Sequence, residues 1–364
     1  MIRSLTAGSS ILASIVLTAL ACSDAAAPSA PAISALKKGS APTLTPQQSG
    51  TTNRLQAISP VNARVAWASG TGGTFVVTTN GGATWRASVV PGAQDLEFRD
   101  VEGISERVAY LMAAGPGEAS RIYETEDGGA SWTLQFQNHD PSAFYDCFAF
   151  WDQKSGVTFS DAVNGVFPAI RTTNGRTWQN IGARLPAAQD GEAAFAASGT
   201  CITVQGGKRA WIATGGAAKA RVLATTDGGN TWQAHDTPIT QGTPISGGIS
   251  IAFRDPHHGI LAGGDLGSAS VPTDNVAVSG DGGVTWALAS PTPFASAVYG
   301  LAYVPGFGKR TVVATGPAGA AWSSDDGASW HGLPGVSGFW AVGFAGRSAG
   351  WLVGVGGTIT KISF

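Results

Sequence analysis

Four carboxylates in the middle of this 364-residue chain, Asp146, Asp161, Glu192 and Asp265, are the groups best suited to chemistry. Two carboxylates about 5–10 Å apart can hydrolyse a glycosidic bond, one as acid and the other as base or nucleophile. The same oxygens can bind a hard cation, or cap glycine-rich loops and stay solvated. His257 and His258 lie beside Asp255 in the run Phe253 to Gly259. Cys147 and Cys201 stand 54 residues apart. Neither has the spacing or a nearby histidine that a metal site needs. There is no dinucleotide glycine fingerprint on a βαβ unit and no haem or iron–sulfur spacing, so no cofactor and no metal are expected.

Which of these groups meet depends on the elements that carry them. One phrase recurs six times: Thr78 to Trp85, Thr125 to Trp132, a shortened Thr172 to Trp178, Thr225 to Trp232, Ser279 to Trp286 and Ser323 to Trp330. Its tryptophans are 47, 46, 54, 54 and 44 residues apart, the period of an array of small similar units. Each copy has the chemistry of a tight hairpin. Asn80, Asp127, Asn174, Asp227, Asp281 and Asp325 can bond the backbone of their own turn, and the following glycines supply positive φ. Trp85, Trp132, Trp178, Trp232, Trp286 and Trp330 close the turns at the start of the next strand. Apolar, β-branched runs such as Thr74 to Val77 precede the turns, so strand–turn–strand units are expected.

The phrase S/T-x-D-x-G-x-x-W resembles the Asp-box of BNR repeats, which implies a β-propeller with these residues in structural roles. Further phrases, Asp146 to Asp152, Gly191 to Cys201 and Ala302 to Gly306, resemble a bacterial group of exported propellers. That group is related to the photosystem II stability/assembly factor family, and the resemblance covers residues 43–364. Members often carry the labels oxidoreductase or glycosyl hydrolase. In the assembly-factor relatives, an arginine-rich patch is thought to hold a membrane-protein partner. Arg54, Arg64, Arg86, Arg99, Arg107 and Arg121 are dense in the first two units but spread over strands and turns. A sialidase reading fails because Asn53 to Ile58 lacks the Phe-Arg-Ile-Pro-like phrase of those enzymes.

With 51 glycines and only 13% charged residues, the composition suits many turns and few exposed helices. A formal net charge of −2 leaves no electrostatic footprint for nucleic acid. Residues 1–21 read as a signal peptide, with Arg3 before the apolar run Ile11 to Ala21. Thr18 to Cys22 resembles a lipobox, which implies lipidation at Cys22; Ser23 after it implies the outer membrane. Residues 22–42 read as an Ala/Pro/Ser-rich flexible tether. The expected location is the bacterial cell envelope, with membrane association through a lipid anchor only, as a monomer.

Six phrases close six blades, and the chain continues. Phe339 to Phe344, Gly350 to Gly354 and Thr358 to Phe364 read as three more strands, and Thr43 to Gln48 reads as the missing fourth. The expected fold is therefore all-β: a seven-bladed propeller of four-stranded blades, its last blade closed by an N-terminal strand, over residues 43–364. Strands are lettered A to D from the centre outward. The repeated turns and the A–B turns share one face, which makes the His257–His258 run a structural turn. The opposite, ligand face carries Arg99, Asp100, Tyr145, Asp146, Glu192 and Tyr299 at the starts of strands A, and Asp161, Asn164, Lys219 and Asp265 on B–C loops. The four carboxylates are expected to gather there. Trp340 and Tyr299 could form a stacking wall but are expected in the inter-blade core. Cys147 and Cys201 are expected as buried thiols on neighbouring blades, although export permits a disulfide. The functional expectation is a non-enzymatic envelope scaffold binding an envelope or membrane protein, or a glycan. The alternative is a glycoside hydrolase using the acidic residues of the ligand face.

Overall fold

The computed structural model describes residues 41–364. The signal peptide, Cys22 and most of the tether lie outside the described residues. The described chain forms seven four-stranded antiparallel sheets. Blades one to six each use four consecutive strands. Blade seven takes Phe339–Gly346, Ala349–Gly354 and Ile359–Ser363 from the C-terminal end, and Thr43–Gln47 from the other. Thr43 pairs with Ser363 and Gln47 with Ile359, so the expected closure is the observed one. Gln47 adds a second tie. Its Oε1 accepts 3.0 Å hydrogen bonds from Trp85 Nε1 of blade one and Trp351 Nε1 of blade seven, satisfying two indole donors at the closing seam.

Strands B are almost wholly buried, as in Ala66–Gly70, Ala109–Ala113 and Val312–Gly316. Small residues there let adjacent sheets pack closely, and large rings fill the remaining space between blades. Trp67, Trp211 and Trp351 are fully buried on strands B. The core is thus a ring of inter-blade layers, such as the one joining Trp67 and Phe75 of blade one to Phe98 and Leu111 of blade two.

The repeated phrase builds the expected turn. Thr125 Oγ1 donates to Asp127 Oδ1 (2.9 Å) and accepts from the Gly129 N–H (2.9 Å), while Asp127 Oδ1 accepts from the Ser131 N–H (2.9 Å). Gly128 and Gly129 sit at φ +79° and +82°, a region side chains avoid. The Ser131 hydroxyl and the backbone donors hold the Asp127 carboxylate down at about 2. The Gly128 N–H also reaches the Arg107 carbonyl in the A–B turn (2.8 Å), which places both turns on one face. Gly282 does the same with His257 (2.8 Å), so the histidine run is a turn on that face. Its Asp255 carboxylate is occupied by the His257 and His258 N–H groups (2.9 Å each).

Cys147 and Cys201 differ from expectation. They form a disulfide between blade three and the segment that leads into blade four, with Cα atoms 6.3 Å apart.

Candidate functional site

Strand A of five blades carries a register shift near its start, which leaves one extra residue outside the ladder. The shifts fall at Gln56 in blade one, Arg99 in blade two, Asp146 in blade three, Ile249 in blade five and Trp340 in blade seven. Tyr299 stands just before the inner strand of blade six, Gly300–Tyr303. Gln56, Arg99, Asp146, Tyr299 and Trp340 line one cavity of about 370 Å³ at the mouth of the central channel, with Arg54 and Asp161. A bulge turns a strand residue that would join the inter-blade core into one that faces the axis. For this reason Trp340, expected in the core, faces the cavity, and Tyr299, just ahead of its strand, joins it in the cavity wall. Their rings meet edge to face at 5.2 Å, and the Arg54 guanidinium lies 4.8 Å from the Trp340 ring centre.

Blade four contributes differently. Its inner strand, Ile202–Gln205, starts late, and the preceding segment crosses the channel. Ala193 to Ala197 wall the cavity. The Ala196 carbonyl accepts from Arg99 Nη1 of blade two (3.3 Å). Gly199, at φ +77°, lies so close to Asp100 that an added Cβ would sit 2.2 Å from its Oδ1. Thr200 Oγ1 pairs with Ser250 Oγ of blade five (2.7 Å), which donates to the Tyr299 carbonyl of blade six (2.7 Å). The segment therefore separates the mouth cavity from a second cavity of about 630 Å³ on the opposite face, lined by Thr200, Arg254 and Tyr303.

Two anchors hold this crossing. The disulfide fixes its C-terminal end. Glu192 fixes its start: it accepts from Arg221 Nε (2.9 Å), Thr214 Oγ1 (2.7 Å) and the Gln189 N–H (2.9 Å), and a second Arg221 nitrogen completes a bidentate pair. The Glu192 side chain is 0% exposed, so this ion pair is structural and Glu192 does not face the cavity.

The four carboxylates thus do not converge as a group. Asp265 spends an oxygen on the Gly267 N–H (2.8 Å) in its own turn. Only Asp146 and Asp161 share the cavity, where their carboxyl groups lie side by side. Burial pushes Asp146 well above the usual carboxylate range, and the adjacent Asp161 charge pushes it further, against a weaker pull from Arg99. Burial lifts Asp161 to about 6, opposed by the Ala194 N–H and by Asp146. Two buried acids in contact cannot both ionise cheaply, so they hold one proton between them near neutrality.

Other expected ligand-face residues lie elsewhere. Asp100 is buried and caps the Val101 and Phe148 N–H groups (2.7 and 2.9 Å). Tyr145 packs against Phe136 in the core between blades two and three (5.2 Å between rings). Lys219 is on an exposed loop and Asn164 is in a left-handed turn (φ +53°); neither lines the cavity. Arg54 and Gln56 were missing from the sequence-based site. The repeat register held a usable signal: Leu55-Gln-Ala, Phe98-Arg-Asp, Tyr145-Asp-Cys and Phe339-Trp-Ala occupy the same place in their blades.

No family model matches the chain. No curated protein sequence matches it either. Solved structures do. One described as YCF48 bound to D1 peptide aligns at a TM-score of 0.64 with 18% identity, covering 88% of this chain and 97% of that one. YCF48 from Cyanidioschyzon merolae aligns at 0.62 with 15% identity, covering 89% and 99%. The WD40 propeller domain of Doa1 aligns at 0.55 with 13% identity, covering 88% and 97%. This chain is a seven-bladed propeller with the fold of the YCF48 structures, in agreement with the resemblance of its phrases to the photosystem II stability/assembly factor propellers.

Proposed function

We propose that this protein is a non-enzymatic scaffold that docks a protein partner on its mouth face, held at the cell envelope by a lipid anchor on Cys22. The observation that carries the docking reading is the placement of exposed apolar side chains. Val166, Ile245, Val271 and Val355 are 51, 46, 58 and 45% exposed, and all four sit on B–C or D–A loops around the mouth. Among the described residues, the turns of the opposite face carry one comparable side chain, Val284. Apolar groups rimming a polar centre are the pattern of a recognition surface. The YCF48 structure with a bound peptide supports the idea that a propeller of this fold can hold a polypeptide.

The carboxylate geometry disfavours the hydrolase alternative. The two carboxyls of a glycosidase stand about 5–10 Å apart, flanking the scissile bond. Here the two that converge touch each other, and Glu192 is committed to Arg221. Turnover of polysaccharides abolished by Asp161→Asn would restore the enzyme reading.

Affinity capture of envelope proteins by wild-type protein, by Ile245→Asp/Val271→Asp and by the control Val284→Asp tests the docking face. The expected result is at least about tenfold weaker partner binding for the mouth-face double variant, roughly the loss of two buried apolar anchors. The control should retain the partner. Equal retention by both would remove the docking face. The anchor has its own test: Cys22→Ser should abolish metabolic palmitate labelling and move the protein from the membrane to the soluble fraction. Unchanged labelling would exclude Cys22 as the site.

A further inference from the structure

We propose that the mouth cavity binds a protonated amine, whose N–H donors are taken by Asp146, Asp161 and Gln56. This deepens the docking reading by naming the chemical group that a partner would insert. It also stands as a small-molecule property that can be measured without the partner.

Three observations lead there. First, Gln56 and Asp146 are each 1% exposed, and each has a buried oxygen, Oε1 and Oδ2, that makes no hydrogen bond within the described residues. Buried acceptors left without a donor cost about 1–3 kcal/mol each, so such atoms mark where a donor is meant to arrive. Both residues are bulged out of strand A toward the same cavity, from blades one and three. Second, the two arginines of the cavity pair with Glu97 and not with the acids, although Arg54 Nε makes no hydrogen bond. Arg99 is 2.8 Å from Glu97, and Arg54 is 3.6 Å from Glu97 while stacking on Trp340. Among the described residues no lysine, arginine or histidine forms an ion pair with Asp146 or Asp161. Third, Tyr299 and Trp340 give the cavity an aromatic wall, a surface for the methylene stem of an alkylammonium.

The donor set selects among ligands. An ammonium offers three N–H donors and a full charge, which matches three acceptors around an acid pair. An anion would face the acid pair directly. A calcium ion needs six to eight oxygens at 2.3–2.6 Å, and among the described residues no group of three or more carboxylate, histidine or cysteine ligands gathers anywhere. Seating the amine displaces the shared proton to solvent: the Asp146–Asp161 pair ionises fully, and the ammonium nitrogen keeps its own protons.

The experiment is a calorimetric titration of the full-length protein with n-butylammonium chloride and with Nα-acetyl-lysine-N-methylamide. n-Butanol and the Nε-acetylated lysine derivative serve as uncharged counterparts. The expected result is that at least one amine binds, its uncharged counterpart at least about tenfold more weakly. Asp161→Asn should weaken the amine about tenfold or more, and Gln56→Leu provides a second variant with the acid pair intact. Because seating the amine releases the shared proton, affinity should rise with pH through neutrality and fall progressively toward acid, where both carboxyls are protonated. The other titratable groups lining the cavity are Arg54, Arg99 and Tyr299. Preference for the lysine derivative identifies a protein side chain as the source, and preference for butylammonium a free amine; either supports the proposal. Equal binding of amine and uncharged counterpart, or wild-type affinity in both variants, overturns it. Loss of amine binding in a protein whose rim variants still lose their partner would sink this inference alone. Amine binding by a protein whose rim variants keep the partner would sink the docking reading alone.

Discussion

Cys201→Ser should lower the unfolding free energy by about 4 kcal/mol. The bond closes a loop of 54 residues, nearly all of blade three plus the channel-crossing segment. In the chain-entropy model a loop of that length restricts the unfolded chain by about 4 kcal/mol at 25 °C. The native-state effect points the same way. Both cysteines are buried in one cluster with Phe159, Phe167 and Ile212, and the bond pins the crossing where it leaves the channel. Equilibrium denaturation in urea, monitored by tryptophan fluorescence, reads the change as a lower midpoint. Wild-type protein unfolded under reducing conditions should reach the same midpoint as the variant. A shift worth less than about 1 kcal/mol would mean that the crossing is held by its other contacts.

The second large effect concerns the other end of that segment. Arg221→Ala should destabilise the protein by about 3–5 kcal/mol, because it leaves a buried, unpaired carboxylate. Glu192 is 0% exposed and Arg221 13%, so solvent screens this pair little. Arg221 Nη2 also donates to the Ala187 carbonyl (3.0 Å), which would lose that partner as well. The control is the double variant Arg221→Met/Glu192→Gln, which removes both charges at similar volume. It should recover most of the loss, since replacing a buried pair is far cheaper than breaking it. Thermal and urea unfolding of the three proteins decide the matter. If the single variant unfolds like wild type, Glu192 finds water or a proton in the native state, and its role as an anchor falls.

Both effects lie in residues whose roles were hard to read along the chain. Glu192 and Asp146 look alike in sequence, two acids near the start of an inner strand. Geometry separates them. Asp146 is the extra residue of a bulge and turns to the axis, whereas Glu192 belongs to a crossing that meets Arg221 from strand C of blade four, Arg221–Thr225. Cys201 was similarly ambiguous. A separation of about one blade suits two equivalent positions on neighbouring sheets, which would hold the thiols apart. The late start of strand A in blade four brings Cys201 back against Cys147 instead.

The sequence by itself determined the repeating turn, the strand order within each blade, the number of blades and the closure of the last one by Thr43–Gln47. These are local properties: side-chain acceptors two to four residues from the N–H groups they cap, glycines at positive φ, and apolar runs of one strand's length. The period of the phrase then carries local information around the ring. Only the tertiary structure decided which side chains face the axis. Bulges reverse the facing of a single residue within a strand, and the crossing segment takes its path from partners as far as 101 residues away, as where Ser198 donates to the Tyr299 carbonyl. Such contacts form only once the ring has closed, because closure brings blades two, five and six within hydrogen-bonding distance of one short segment.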